Sequence, residues 1–441
     1  MKDSRRGSVW LKKSSFLVWV TVAAIGMSGC SGAALALLEE QVPKQAEGSP
    51  ETSFLALEDL GIREDNSGDV AVVSAGDCFL YTDGYTYAGN TLSESEQIWY
   101  RDIEWALGNM QGTVKLSPEG LSAGLDESHI DRIFQYVLND HPEIFYVEGY
   151  TYTKYTRGDK VVAIDFAGTY NQDRETAVAR KKEIESAVEE IIGPAREWSD
   201  DYAKIKYVYE ILIQRTDYDV HATDNQNIYS VLVNRASVCQ GYAKAFQYLM
   251  YRLNVECALV QGHVIETGEG HAWNLVKSNG SYYYVDPTWG DISYQDGEQG
   301  TDDSIYDKAK LSEDDATLPG VSYDYLCITT AQMQQTHELT SSEEMPECVD
   351  IRDNYYVRED ALFTSYDEEQ MGRLVDKRLS QGRRDISLRC SNRACYDEMQ
   401  SALLDRQELF GYLSGSGIQT FVYSCNESQL TMTFFMMTSE R

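Results

Sequence analysis

The chain has 441 residues, of which 42% are hydrophobic and 31 are tyrosine, and its formal net charge is −33. This length accommodates two or three domains, and the hydrophobic content argues for packed structure instead of disorder. The acidic excess disfavours nucleic acid and anionic lipid surfaces as partners.

The pattern of the first 29 residues predicts an export signal. An apolar run, FLVWVTVAAIGM, is too short to span a membrane permanently, and it follows a basic stretch made of Arg5, Arg6, Lys12 and Lys13. The segment MSGC resembles a bacterial lipobox ending at Cys30, so we expect a lipoprotein anchored through Cys30 at the outer face of the cell membrane. An ordinary signal peptide cleaved nearby is the alternative. Residues 30–75 follow as an acidic tether.

Three folded regions are predicted after the tether. Residues 76–195 form an N-terminal α+β region in which ESHIDRIFQYVLNDHPEIFYV indicates a helix running into a strand. Residues 196–345 contain the motifs described below. Residues 346–441 predict a C-terminal α+β module for binding or packing, with strands at NYYV, DISLRC, IQTFVYS and QLTMTFFMM and helices at DEEQMGRLVDKRLSQG and CYDEMQSALLDRQELFGYL.

A cysteine opens one helical pattern. In SVCQGYAKAFQYLMYRL, Cys239, Ala243, Phe246 and Leu253 recur at helical spacing, which places Cys239 in the first turn, on the core-facing side. Unpaired N–H groups at a helix start stabilise a thiolate. A buried cysteine taken alone is nevertheless more often a packing residue than a nucleophile.

A hairpin follows, and its turn fixes which side chains share a face. Asn279-Gly280 is a dipeptide favoured in two-residue type I′ turns. With that turn, Trp273 lies opposite Asp286, and His271 becomes a diagonal neighbour of Asp286 on the same face. A three-residue turn would put the two on opposite faces.

These parts match the needs of thiol-dependent acyl transfer. A histidine takes the thiol proton, the thiolate attacks a carbonyl, and an aspartate orients the imidazole. The backbone N–H of Cys239 is expected to help hold the oxyanion. A second donor is not identified from the sequence, where Asn234 and Gln240 are only nearby.

Three ordered segments, SVCQGYAKAFQYL, GHAWNLV and YYYVDPTWGD, resemble the transglutaminase-like superfamily, especially its exported bacterial branch. The resemblance implies a papain-like α+β core over 196–345, with a helix-borne cysteine packed on an antiparallel sheet. It also implies that Cys239 is the nucleophile, His271 the base and Asp286 the orienting acid. Residues flanking these three are candidates for contacts to the substrate or oxyanion, namely Gln240, Trp273, Asn274 and Trp289.

The predicted function is acyl transfer on peptide or amide bonds at the cell surface, protease-like or transglutaminase-like. The substrate is a peptide, a protein or a cell-wall peptide, and the acceptor, water or an amine, stays open. A catalytically weak or inactive binding module of the cell envelope is the alternative. No cofactor is expected.

No metal is expected either, because a zinc site built from Cys239, Cys257, His263 and His271 lacks the usual paired spacing. His263 is expected to be structural or at the rim, and neither His221 nor His337 shows a partner pattern. Cys30 aside, eight cysteines remain, and in an exported chain Cys390, Cys395 and Cys425 could supply one disulfide whose pairing stays open.

Overall fold

The computed structural model describes residues 85–157, 160–291, 321–340 and 345–438. The predicted export signal, Cys30 and the acidic tether lie outside the described residues. No described helix is both long enough and apolar enough to cross a membrane.

Helices and strands are interspersed along the described chain. The helices are α1 Tyr87–Thr91, α2 Glu96–Gly108, α3 Pro118–Ser122, α4 Ile130–Asp140, α5 Arg174–Ile192, α6 Asp201–Arg215, α7 Cys239–Arg252, α8 Thr330–Met333, α9 Tyr355–Arg358, α10 Glu368–Ser380, α11 Arg393–Gln400 and α12 Leu409–Tyr412. The strands are β1 Val114–Lys115, β2 Val147–Arg157, β3 Lys160–Tyr170, β4 Asp217–Tyr218, β5 Ala236–Ser237, β6 Cys257–Val264, β7 Gly270–Ser278, β8 Ser281–Val285, β9 His337–Leu339, β10 Leu362–Phe363, β11 Asp385–Cys390, β12 Ile418–Asn426 and β13 Thr431–Thr438.

The N-terminal region packs helices against a three-stranded antiparallel sheet with the order β1-β3-β2. The predicted helix running into a strand is confirmed as α4 followed by β2. Ile130, Ile133 and Val137 are fully buried on one face of α4, which is the helical spacing that the sequence shows. The chain enters this helix through Asp126, whose side chain accepts a hydrogen bond from the Ser128 N–H at 3.0 Å.

The central region confirms the expected α+β core. Its four-stranded antiparallel sheet has the order β8-β7-β6-β9, and the cysteine-bearing helix α7 packs on it. Asn279 and Gly280 have φ values of 47° and 90°, so both adopt the left-handed conformation that a type I′ turn requires. Ser278 pairs with Ser281, and the predicted two-residue turn is therefore confirmed.

Successive residues of β7 face opposite sides of the sheet. Ala272 packs with Ala243 of α7, and the Asn274 side-chain amide donates to the Ala243 carbonyl at 2.9 Å. Trp273 instead joins the apolar cluster on the other face, with Tyr325 among its members. His271 shares the Trp273 face because side chains alternate with period two.

The C-terminal region forms a sheet with the order β10-β11-β13-β12. The predictions of β11, β12, β13 and α10 are confirmed, and the last predicted helix is present in pieces, as α11, a π-helical turn and α12. The predicted strand at NYYV is wrong, because these residues begin α9. Asn354 caps α9 by accepting the Tyr356 N–H at 3.2 Å, and Tyr355 and Tyr356 are both buried, which an alternating strand would not allow.

This C-terminal region contacts the hairpin directly. The Ser278 hydroxyl donates to the Asp353 carboxylate at 2.8 Å, and Lys206 of α6 pairs with Glu359 at 2.8 Å. The turn between β7 and β8 is thus held from outside the sheet as well as by its own dihedral preference.

Candidate active site

Cys239 is the first residue of α7, as the sequence predicts, and is 6% exposed. The preceding segment is fixed by Ser237, whose hydroxyl donates to the Asn225 carbonyl at 2.6 Å. A Cβ on Gly241 would overlap the Ser237 hydroxyl oxygen. Only glycine at 241 therefore lets the first turn of α7 lie this close to the entering chain.

His271 and Asp286 form a buried pair. Nε2 of His271 lies 2.7 Å from Oδ2 of Asp286, and the residues are 2% and 0% exposed. The β7–β8 ladder ends where Asn274 pairs with Val285, and the Asp286 N–H then bonds the Tyr325 carbonyl at 3.0 Å. His271 and Asp286 are therefore as close as the two-residue turn predicts.

The second carboxylate oxygen of Asp286 is held by the backbone. Oδ1 accepts the N–H groups of Thr288 at 2.9 Å and Trp289 at 3.1 Å. Burial alone would raise the pKa of Asp286, but His271, followed by His337, outweighs burial and holds that pKa far below its ordinary value. Asp286 is therefore a charged carboxylate with both oxygens directed by neighbours.

His337 is the residue that the sequence reasoning missed. It is 1% exposed, and its Nε2 lies 3.3 Å from the same Asp286 Oδ2 that His271 contacts. Its ring centroid lies 5.2 Å from that of His271 and 4.6 Å from that of Trp289. The expectation that His337 lacks a partner is wrong. The cause is that β9 has only three residues, too few to show periodicity.

One sequence signal points to this packing. Gly262 of β6 pairs with His271, and Val264, two residues on, pairs with His337. A Cβ on Gly262 would meet the Trp273 ring at 2.5 Å. A glycine inside a strand indicates that another group approaches closely, which is the case here.

The four candidates for substrate or oxyanion contacts differ in burial and in hydrogen bonding. They are Gln240, Trp273, Asn274 and Trp289. Trp273 is fully buried and stacks on His271 with ring centroids 5.9 Å apart. Its burial, and the use of the Asn274 amide to hold α7, argue against substrate or oxyanion contacts by these two residues. Gln240 is buried in the first turn of α7, and its Oε1 has no hydrogen-bond partner within the described residues. Trp289 is only partly buried.

Three groups that can bind a metal ion, His271, Asp286 and His337, have ligand atoms within 4.8 Å of one another. Zinc bonds of about 2.0–2.1 Å in a tetrahedron keep ligand atoms about 3.3 Å apart. The 2.7 Å separation of His271 and Asp286 is shorter and is that of a charge-assisted hydrogen bond. His263, part of the zinc alternative, instead pairs with Glu338 at 3.0 Å on the protein surface.

The described cysteines other than Cys239 carry thiols whose protonated form is favoured. Burial raises the pKa of each of six cysteines, namely Cys257, Cys327, Cys348, Cys390, Cys395 and Cys425. Such thiols hold little thiolate near neutral pH. Among the described cysteines none is joined in a disulfide, so the structure does not contain the bridge that the sequence allowed among Cys390, Cys395 and Cys425.

Part of the chain matches a known protein family. Residues 188–287 match the model of the transglutaminase-like superfamily, and this stretch contains Cys239, His271 and Asp286. The chain contains a transglutaminase-like domain. Its core helix and antiparallel sheet are those that the resemblance predicts.

The relatives of this transglutaminase-like domain are distant. Kyphoscoliosis peptidase of Mus musculus is 25% identical over 130 residues, which are 26% of this chain and 20% of the mouse protein. The Homo sapiens protein of the same name is 24% identical over 128 residues, covering 26% of this chain and 19% of its own. The chain thus spans about a fifth of these relatives. A crystal structure of a TGase is 15% identical, with a TM-score of 0.24, covering 38% of this chain and 50% of its own.

Proposed function

We propose that the transglutaminase-like domain catalyses thiol-dependent acyl transfer on peptide or amide bonds, with Cys239 as nucleophile, His271 as base and Asp286 as orienting acid. One observation carries the proposal: the buried 2.7 Å bond between His271 and Asp286, on the strand that packs against α7. A histidine oriented by a carboxylate beside a helix that begins with cysteine has the parts of a cysteine nucleophile site.

The proposed steps follow from which ring nitrogen is occupied. Nε2 of His271 faces Asp286, so Nδ1 takes the proton of the Cys239 thiol. The sulfur then attacks the substrate carbonyl, the carbon–nitrogen bond breaks, and the imidazolium gives its proton to the leaving amine. A thioester on Cys239 remains. Water or a second amine then attacks this thioester and restores the thiol.

Asp286 and the start of α7 supply the electrostatics of these steps. The buried charge of Asp286 stabilises the imidazolium form of His271 and fixes its tautomer. The N–H groups at the start of α7 favour the thiolate and the oxyanion. Gln240, one residue after the nucleophile, is the candidate for the second oxyanion donor.

The proposed mechanism requires the imidazole of His271 to approach the sulfur of Cys239. Ala272 faces α7, so the side chain of His271 leaves the strand on the other face, and its ring must reach the thiol around the end of β7. Because His271 is only the second residue of β7, that end is close. A reactivity measurement tests this geometry directly.

The test is the alkylation rate of each cysteine with iodoacetamide at about pH 6, where an ordinary thiol holds little thiolate. Peptide mapping by mass spectrometry separates the sites. We expect Cys239 to react at least about tenfold faster than Cys425, the half-buried thiol among the described cysteines. His271→Ala should remove this preference, and His263→Ala, a histidine change on the neighbouring strand, should keep it.

Equal rates for Cys239 and Cys425 in the unmodified protein would overturn the enzymatic proposal and favour a binding module. If Cys239 is reactive, incubation with a peptide library followed by mass measurement of the Cys239 adduct identifies the acyl group. The expected substrates are peptides, proteins or cell-wall peptides.

We further propose that the protein is exported and anchored through a lipid on Cys30 at the outer face of the cell membrane. The motif MSGC and the preceding apolar run support this location. Membrane fractionation of a Cys30→Ala variant tests it, and a variant that stays with the membrane as fully as the parent would refute the anchor.

A further inference from the structure

We propose that the ammonium group of Lys244 binds a carboxylate of the substrate close to Cys239, so that the proposed enzyme prefers acidic peptides. This inference rests on the proposed function, since it names the substrate class of the same site. Lys244 is 6% exposed, and its ammonium has neither a hydrogen bond nor an ion pair within the described residues. A buried lysine without a partner is uncommon, because taking its charge out of water costs free energy that a partner normally offsets.

The lack of a partner distinguishes Lys244 from the other buried cations. The remaining buried lysine and arginine side chains of the described residues each have a hydrogen-bonding partner, namely Leu253 for Lys204, Asp385 for Arg378 and Gln429 for Arg389. Burial lowers the pKa of Lys244 to about 8, so the amine is still mostly charged at pH 7. A buried positive charge left uncompensated in a chain of formal net charge −33 indicates a place for an anion from outside the chain.

Lys244 lies on a face of α7 that leads to the nucleophile. Residues three and four apart share one face of a helix, so Lys244 lies between Gln240 and Gln247. Gln247 shows where this face points, because its amide donates to the Asn139 carbonyl of α4 at 2.8 Å. Side chains lean toward the N-terminus of their helix, which directs the Lys244 ammonium to the Gln240 end of the face, and Gln240 directly follows Cys239.

Gln240 adds a second unsatisfied group at the same end of α7. Its Oε1 is buried and has no hydrogen-bond partner within the described part of the chain. A peptide offers the complement of both groups, with a carboxylate oxygen for the ammonium and a backbone N–H for the amide oxygen. Every peptide has backbone N–H groups, so the carboxylate is the feature by which Lys244 selects among substrates.

The experiment compares two alkylating reagents of the same size, one with a carboxylate and one without. N-iodoacetylglycine and N-iodoacetylglycinamide react by the same displacement, in which the sulfur–carbon bond forms and iodide leaves. Their rates at Cys239 at about pH 7 are each divided by the rate with free N-acetylcysteinamide, which removes the intrinsic reactivity of the reagents. An acidic protein repels the anionic reagent, so a preference for it requires a local positive potential. We expect N-iodoacetylglycine to have a relative rate at least about threefold higher than its amide.

Two variants assign the preference to one side chain. Lys244→Met keeps an unbranched apolar stem and removes the charge, and we expect it to lower the carboxylate preference about tenfold. Lys204→Met, the same change at a buried lysine that has a partner, should keep the preference of the parent. The start of α7 also attracts anions. A preference that is unchanged in folded Lys244→Met would belong to the helix start and would overturn the role of Lys244.

The unmodified protein decides the proposal even if the variants fail to fold. Equal relative rates at Cys239, or a lower rate for the anionic reagent, would overturn it. This ratio compares two reagents at one thiol, so it does not depend on whether Cys239 reacts faster than Cys425. Equal iodoacetamide rates at Cys239 and Cys425 reject the proposed function, whereas selective Cys239 alkylation without a carboxylate preference rejects only the role of Lys244.

Discussion

Asn274, the fourth residue of the HAWN motif, holds α7 to the sheet, and Asn274→Asp tests that role with a change of one atom. The Asn274 side chain is fully buried, and its amide nitrogen lies 2.9 Å from the Ala243 carbonyl and 3.5 Å from the Ala258 carbonyl. An ionised aspartate would place a negative oxygen against two carbonyl oxygens. The variant must therefore bury a protonated acid or lose the contact.

The magnitude follows from the ordinary pKa of aspartic acid, about 3.9. Keeping the acid protonated costs about 1.4 kcal/mol for each pH unit above that value, which is about 4 kcal/mol at pH 7. The protonated acid can still donate to Ala243, so the loss nearly vanishes at about pH 4. The sign agrees with linkage: burial raises the folded pKa, so the variant loses stability as pH rises above the unfolded pKa.

Denaturant unfolding at about pH 5 and about pH 7 measures this effect. We expect the free energy of unfolding of Asn274→Asp, relative to the parent, to fall by about 2.7 kcal/mol between these values. Asn171→Asp, the same chemical change on an exposed side chain, is the control and should show a small difference at both values. A pH-independent loss in Asn274→Asp would refute the donor role of the amide.

Two other predictions concern a glycine in β6 and a buried histidine directly after α4. Gly262→Ala would push its Cβ into the Glu338 carbonyl oxygen and the Trp273 ring, so we expect a loss of about 3 kcal/mol in thermal unfolding, whereas Gly112→Ala, with open space around it, should change little. Similar melting shifts in both variants would contradict this packing. Although burial favours neutral His141, Glu143 and Glu104 raise its pKa to about 10. The charged His141 side chain therefore stabilises the folded protein fully below its unfolded pKa of about 6.5, and this stabilisation is lost as pH rises through about 10. We expect His141→Gln to lower the free energy of unfolding more at pH 6 than at pH 10. A loss that is constant over this range in denaturant unfolding would count against a charged His141.

The predictable parts of the site are those set by local chemistry. Asn279 and Gly280 select the turn, the turn selects the register, and the register puts His271 and Asp286 on one face. The start of α7 at Cys239 follows from apolar spacing over several turns. These features need only the geometry of one hairpin or one helix.

The parts that were missed depend on distant segments. His337 reaches Asp286 from a three-residue strand that adds to the sheet next to β6, and a strand of that length has no readable pattern. The NYYV segment shows the same limit, because Tyr355 and Tyr356 are buried by tertiary packing that overrides strand propensity. The use of Asn274 as a structural donor also depends on α7, which precedes it by more than twenty residues.

The two faces of β7 divide the work of the site. Ala272 and Asn274 fix the helix that carries the thiol, while His271 and Trp273 lie with Asp286 and His337 on the other face. A slip of one residue in the β7 register would exchange these faces and put His271 against α7 in the place of Ala272. The turn dipeptide and the Ser278 bond to Asp353 both oppose such a slip. The face of the sheet on which the His271 imidazole lies is therefore set by one short strand and its turn, and sequence changes there should move the imidazole relative to α7 more than equal changes in the flanking regions.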